Sequence, residues 1–138
     1  MGLNLRPVVA QILFAAFILI VCLIVVPTFK SKPGQVLYAK EYIVELCQAL
    51  ENFKTDVGRY PTDSEGLTVL LHAPSQLPKW KGPYLDNLRR DPWGRDYVYK
   101  IRDSGKCFEV LSWGPDGKPG SKGNISSHNI SRDSIFSH

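Results

Sequence analysis

The sequence predicts an α+β chain with a long N-terminal hydrophobic helix packed on a loop region and a small antiparallel sheet. Three observations predict it. From Val8 to Val26, 18 of 19 residues are apolar, with Gln11 the exception. Ala39, Ile43, Leu46, Leu50 and Phe53 then recur at steps of four and three, the spacing of one helix face. Finally, Tyr97–Ile101 and Phe108–Ser112 alternate in polarity on either side of a Gly-containing turn around Arg102–Lys106, the pattern of a hairpin.

The first segment is long enough to span a membrane. Nineteen helical residues cover roughly 28 Å, close to the ~30 Å hydrocarbon core. A cleaved secretory signal has a shorter apolar region ending at small residues, whereas this run ends at Val25-Val26-Pro27-Thr28. An uncleaved anchor over residues 1–27 is expected, followed by a polar head over residues 28–138. The flanking charges, Arg6 before the run and Lys30, Lys32 and Lys40 after it, do not by themselves place the head outside the cell.

Pro27 and Pro33-Gly34 interrupt the backbone after the anchor. An amphipathic helix is expected over residues 35–55, its outer face carrying Lys40, Glu41, Glu45, Glu51 and Lys54, with Gly58 as its stop. Between Gly58 and Trp93, Pro61, Pro74, Pro78 and Pro83 exclude long elements. A short helix fits Ser64–His72, where Leu67, Leu70 and Leu71 share a face. The hairpin follows, then a turn-dense loop, Trp113-Gly-Pro-Asp-Gly-Lys-Pro-Gly120, and a polar tail from Ser121 to His138 with isolated Ile125, Ile130 and Ile135.

Composition removes several functional classes. The net charge of +4 comes from basic residues scattered among acids, not from the clustered stripe of a nucleic-acid surface. His72, His128 and His138 sit in separate contexts, and no nucleophile elbow, phosphate loop or HExxH run is present. No catalytic residue is assigned and enzyme activity is not expected. Cys22, Cys47 and Cys107 lack metal-ligand spacing; they read as small buried hydrophobes, or, for Cys47 and Cys107 in an oxidising compartment, as a pair. Tyr60, Trp80, Tyr84, Trp93, Tyr97 and Tyr99 lie among Pro and Gly, which favours packing of a loop-rich domain over a stacking surface. Asn124-Ile-Ser126 and Asn129-Ile-Ser131 fit the glycosylation acceptor pattern, which is frequent by chance.

The oxygen-rich region after Trp113 is the candidate metal site. Calcium takes about six to eight oxygen ligands, and Asp116 is the only carboxylate between Ser112 and Ser131. Taken alone, it reads as a tight turn in which a side chain caps its own backbone.

Four stretches in fixed order give the head a resemblance: Gly58-Arg-Tyr-Pro-Thr-Asp-Ser-Glu-Gly-Leu67; Trp80-Lys-Gly-Pro-Tyr-Leu85; Asp91-Pro-Trp-Gly94 with Tyr97 and Tyr99; and Trp113–Gly120. Behind an apolar N-terminal helix, they resemble the major pseudopilin of bacterial type II secretion, the general secretion pathway protein G class. The likeness covers about residues 25 to 120. It implies a pilin-like fold and a single-pass protein of the bacterial inner membrane with its head in the periplasm. The implied function is that of a structural subunit of the pseudopilus, which helps export folded proteins across the outer membrane. The implied partners are other pseudopilins, inner-membrane secretion components and further copies of the chain, with no nucleic acid. The alternative is a membrane-anchored, pilin-like docking module that does not polymerise.

Two departures from that class stand out. Its members carry a Gly-Phe processing site for prepilin peptidase and a Glu at the fifth mature position. Counting back from Pro27, Leu5 stands where the Gly belongs and Ala10 where the Glu belongs, so no prepilin cleavage site is recognisable. The class also binds calcium in its C-terminal loop through several aspartates and backbone carbonyls. Asp116 matches the first aspartate, while the later acidic cluster is replaced by Asn124-Ile-Ser-Ser-His-Asn129. The resemblance therefore implies a weak calcium site at most, with Asp116, Ser127 and Asn129 as ligands.

Overall fold

A computed structural model describes residue 11, residues 14–17 and residues 32–130. The chain divides into two compact units, Met1–Lys30 and Ser31–His138. Of the first unit, Gln11 and residues 14–17 are helical and exposed. The rest of the expected Val8–Val26 span lies outside the described residues, as do Leu5, Ala10, Cys22, Pro27 and the tail from residue 131. Among the described residues, no helix is long and apolar enough to cross a membrane.

The second unit begins with helix α1, Pro33–Val57. Pro33 was expected to interrupt the backbone; instead it occupies the first turn of the helix, where its missing N–H has no intrahelical partner to lose. Gln35 Oε1 accepts from the Lys32 N–H at 3.1 Å and its Nε2 donates to Pro92 O at 3.3 Å. The helix start is thereby tied to a distant loop. Its end is set by Gly58, whose φ of 89° is left-handed and whose N–H donates to Lys54 O at 2.7 Å. Such a cap satisfies a carbonyl that the helix leaves free.

The expected stripe is the core. Ala39, Ile43, Leu46, Leu50 and Phe53 are all fully buried, and Tyr42, Cys47 and Ala49 widen the face. They pack with Leu70, Tyr97, Val110 and Ile125 from the loops and sheet. The short helix after Gly58 is a single 3-10 segment, Gly66–Leu70, narrower than the Ser64–His72 expectation. The aromatic residues serve packing: Tyr60 and Tyr97 are buried, and Trp80, Tyr84, Trp93 and Tyr99 lie against the core.

The hairpin consists of β1, Val98–Arg102, and β2, Cys107–Ser112, antiparallel from Val98 opposite Leu111 to Arg102 opposite Cys107. Its turn runs through positive φ at Asp103, Ser104 and Gly105. A third strand, β3, Ile125–Ser126, pairs antiparallel with the other edge of β2, giving the order β1-β2-β3. It falls in what the sequence suggests is a polar tail. Ile125 is buried against α1 and the sheet, and Ser126 Oγ donates to Glu109 Oε1 on β2 at 3.2 Å, so burial and a polar contact together hold the two-residue strand. Cys47 and Cys107 are free thiols, Cys47 buried in the helix face and Cys107 half-buried on β2.

Candidate functional site

The four sequence stretches fold into interlocked loops beside α1. In the first, Arg59 forms a bidentate pair with Glu65, both contacts at 2.7 Å. Glu65 Oε2 also accepts from the Thr62 N–H at 2.7 Å while Thr62 Oγ1 accepts from the Glu65 N–H at 3.2 Å. This reciprocal Thr-x-x-Glu arrangement closes the turn before the 3-10 segment. The Arg59 guanidinium and the Thr62 donors hold the Glu65 carboxyl down at about 2. Asp63 Oδ1 accepts from the Ile101 N–H at 2.8 Å and Tyr99 donates to Pro61 O at 2.7 Å, fastening this loop to the outer edge of β1.

In the second stretch, Trp80 donates to Val69 O at 2.8 Å. Tyr84 donates to Asp56 at 3.0 Å beside the Lys81–Asp56 ion pair at 3.1 Å. Tyr42, from the middle of α1, donates to Asn87 O at 3.0 Å and accepts from the Arg89 N–H at 2.9 Å. A buried helix side chain thus fixes the irregular 87–89 segment at both polarities of the backbone.

The third and fourth stretches meet at Asp91, whose side chain is wholly buried. Its Oδ1 accepts from the Trp93 and Arg95 N–H groups at 3.0 and 2.8 Å. Its Oδ2 accepts from Ser112 Oγ at 2.6 Å, and that hydroxyl in turn accepts from the Gly114 N–H at 3.0 Å. The guanidinium of Arg95 lies 3.8 Å from Asp91 Oδ2 and donates to Gly114 O. A buried carboxylate needs such compensation. Here the compensation welds the Asp91–Gly94 turn to the start of the C-terminal loop.

That loop is a chain of tight turns. Gly117, Ser121 and Asn124 donate from their backbone N–H groups to Gly114 O, Lys118 O and Ser121 O, at 3.3, 3.3 and 3.2 Å. Gly114 has φ of 66° and lies against Gly123 O, so a side chain there would collide with backbone. The Asn124 amide sits in the middle. Its oxygen accepts from Ser121 Oγ at 3.0 Å, and the same end of the amide lies 2.9 Å from Lys118 O and 3.2 Å from Trp113 O, with the other end 2.8 Å from the Gly120 nitrogen.

The structure separates the expected calcium ligands by role. Asp116 is exposed, with Oδ2 lying against Gly123. Ser127 Oγ accepts from the Val110 N–H at 3.1 Å and so belongs to the sheet. Asn129 is exposed in a 3-10 turn, Ser127–Asn129. Among the described residues no three His, Cys, Asp or Glu side chains gather as metal ligands. Trp113 O, Lys118 O, Ser121 Oγ and the Asn124 side-chain amide instead converge at the loop centre, an oxygen-rich set of the kind hard cations take. Asn124 is the residue whose role the sequence hides. Its signal there is only its place in the run that replaces an acidic cluster.

An N-terminally fastened helix, a loop region and a three-stranded antiparallel sheet closed by a C-terminal loop define a pilin-like head. The solved structure of the major pseudopilin from the type 2 secretion system of enterohaemorrhagic Escherichia coli matches it with a TM-score of 0.60 and 28% identity, covering 70% of this chain and 89% of that one. The profile of type II secretion system protein G matches residues 29–130, and the chain belongs to that family. Type II secretion system core protein G of Pseudomonas aeruginosa is 37% identical over 111 residues, 76% of this chain and 78% of the relative. The Escherichia coli core protein G is 37% identical over 94 residues, and the match spans 65% of each protein.

Proposed function

We propose that this chain is a structural subunit of a type II secretion pseudopilus that helps export folded proteins across the outer membrane. The observation that carries the reading is the family match over residues 29–130, which takes in α1 and all four loop stretches. Residues 1–27 are the membrane-spanning segment and residues 28–138 the periplasmic head of a single-pass inner-membrane protein. The Val8–Val26 segment stores the subunit in the bilayer and packs against its neighbours in the filament. Its partners are other pseudopilins, further copies of itself and inner-membrane secretion components. The role is mechanical, with no catalytic residue.

The test is cysteine crosslinking between subunits along Val8–Val26 in membranes, combined with mass mapping of the N-terminus. Regular crosslinks between copies are expected. An intact Met1 with no crosslink between copies would overturn the filament role and leave a docking module that does not polymerise.

A further inference from the structure

Two grooves border α1, and they differ in charge. One is lined by Glu41, Glu45 and Asp86. The other, of about 310 Å³, lies where the first two turns of α1 meet the C-terminal loop and the turn after β3. Val36, Ile125 and Ile130 supply its apolar part, and Lys40, Lys122 and Asn129 its polar part. Lys40 comes from the helix and Lys122 from the distant loop, and both are exposed. Among the described residues neither lysine forms an ion pair, and no carboxylate lines this groove. Asp116, the acid of the same loop, lies against Gly123. Two like charges gathered beside an apolar surface repel one another until an anion joins them, and the apolar part suits an anion with a greasy attachment.

We propose that this groove holds the headgroup of an anionic phospholipid, with the phosphate between Lys40 and Lys122 and the glycerol end of the acyl chains over Val36 and Ile130. The inference rests on the membrane-anchored reading above. Chain connectivity favours a lipid over a soluble anion. The expected span ends at Val26 and α1 begins at Pro33, and residues 27–32 reach at most about 20 Å when fully extended. The first turns of α1, with Val36 and Lys40, are therefore within reach of the bilayer surface. Anionic headgroups are concentrated there, and the negative surface potential that repels soluble anions attracts lysines. The compact ammonium of a lysine suits a phosphate as a point charge. The contact stores the subunit with its head at the membrane, and departure into a filament requires its release.

The test uses the full-length chain reconstituted in vesicles of phosphatidylcholine alone and of equal parts phosphatidylcholine and phosphatidylglycerol, at the same salt. A chain that floats with neither vesicle overturns the anchored reading and the proposal with it. For a chain that floats, the rate of lysine acylation is read residue by residue by mass spectrometry. Lys40 and Lys122 are expected to react several-fold more slowly in the phosphatidylglycerol vesicles, while Lys100 and Lys106 on the hairpin keep the same rate. In Lys40→Gln, Lys122 is expected to regain most of its rate in phosphatidylcholine. Equal rates for Lys40 and Lys122 in the two vesicles overturn the proposal and leave the anchor standing. Protection of Lys122 that survives Lys40→Gln also overturns it, since a general surface potential needs no groove. Equal protection by millimolar glycerol 3-phosphate over phosphatidylcholine vesicles overturns it in favour of a soluble anion, and protection that grows with the protein-to-lipid ratio overturns it in favour of a second copy.

Discussion

Ser112 Oγ donates a 2.6 Å hydrogen bond to Asp91 Oδ2 in the buried interior of the head. The two residues are 21 positions apart, one at the end of β2 and the other at the start of a turn. Around them converge the Trp93, Arg95 and Gly114 backbone amides and the Arg95 guanidinium.

Asp91→Ala removes the acceptor of three protein donors at once. A buried donor left without a partner costs about 1–3 kcal/mol, so the substitution is expected to destabilise the chain by about 3 kcal/mol or more. Ser112→Ala deletes one donor and frees the Gly114 N–H, and is expected to cost about 1–2 kcal/mol. Urea unfolding followed by tryptophan fluorescence measures both. Equal costs for the two substitutions would contradict the central position of the carboxylate.

Tyr42→Phe isolates the other polar anchor. The hydroxyl donates to Asn87 O and accepts from the Arg89 N–H, while the ring packs against Tyr97 with centroids 5.1 Å apart. The variant keeps the packing and loses both hydrogen bonds, for an expected loss of about 1–3 kcal/mol. Its hydrogen-exchange pattern is expected to show the Arg89 amide losing protection while the centre of α1 retains it.

The Arg59–Glu65 pair predicts an acid-sensitive turn. Glu65 ordinarily ionises near 4.5 and is held at about 2 in the fold. A carboxyl with a depressed folded-state pKa contributes stability above its unfolded value and loses it as pH falls through the folded one. The contribution is therefore full above about pH 5 and gone near pH 2. Arg59 is partly exposed, so solvent screening reduces the pair to about 1 kcal/mol. Glu65→Gln is expected to lower stability by that amount at pH 7 and to flatten the pH profile between 5 and 2, as read from chemical denaturation across that range.

Leu46→Ala tests the helix face. Leu46 is fully buried, and truncations of this kind cost about 2–5 kcal/mol. Leu37, on the same helix but 56% exposed, is expected to tolerate Ala within about 0.5 kcal/mol. Thermal melts of the two variants separate the stripe from the rest of the helix surface.

How much of this was legible in the sequence depends on range. The α1 stripe was readable because its five apolar residues repeat with the helical period, and the hairpin because Tyr97–Ile101 and Phe108–Ser112 alternate. Both signals are local. Pro33 misled because the same residue that ends a helix also opens one. Strand β3 was hidden because two residues carry no period; its pairing depends on Leu111 and Ser112, which local pattern does not connect to it. Asp91 stands in the sequence only as the first residue of the Asp91–Gly94 stretch, and its burial follows from Ser112 and Gly114 arriving from a different stretch. Asn124 was visible only as part of a polar run; its place beside Trp113 O, Lys118 O and Ser121 Oγ comes from the tight turns of the loop.

Cys47 gives the fold an internal clock. Its thiol is 1% exposed, and burial pushes its pKa up to about 12, so thiolate-seeking reagents reach it only when α1 parts from the sheet. Cys107, half-buried, donates to Asp103 Oδ2 at 3.1 Å, which raises its pKa as well, but the same reagents reach it without that separation. Where labelling outpaces reclosing, the delay between the two labelling events is the waiting time for the head to open. It can be read in living cells, where it reports how often a subunit comes apart before and after it joins its neighbours.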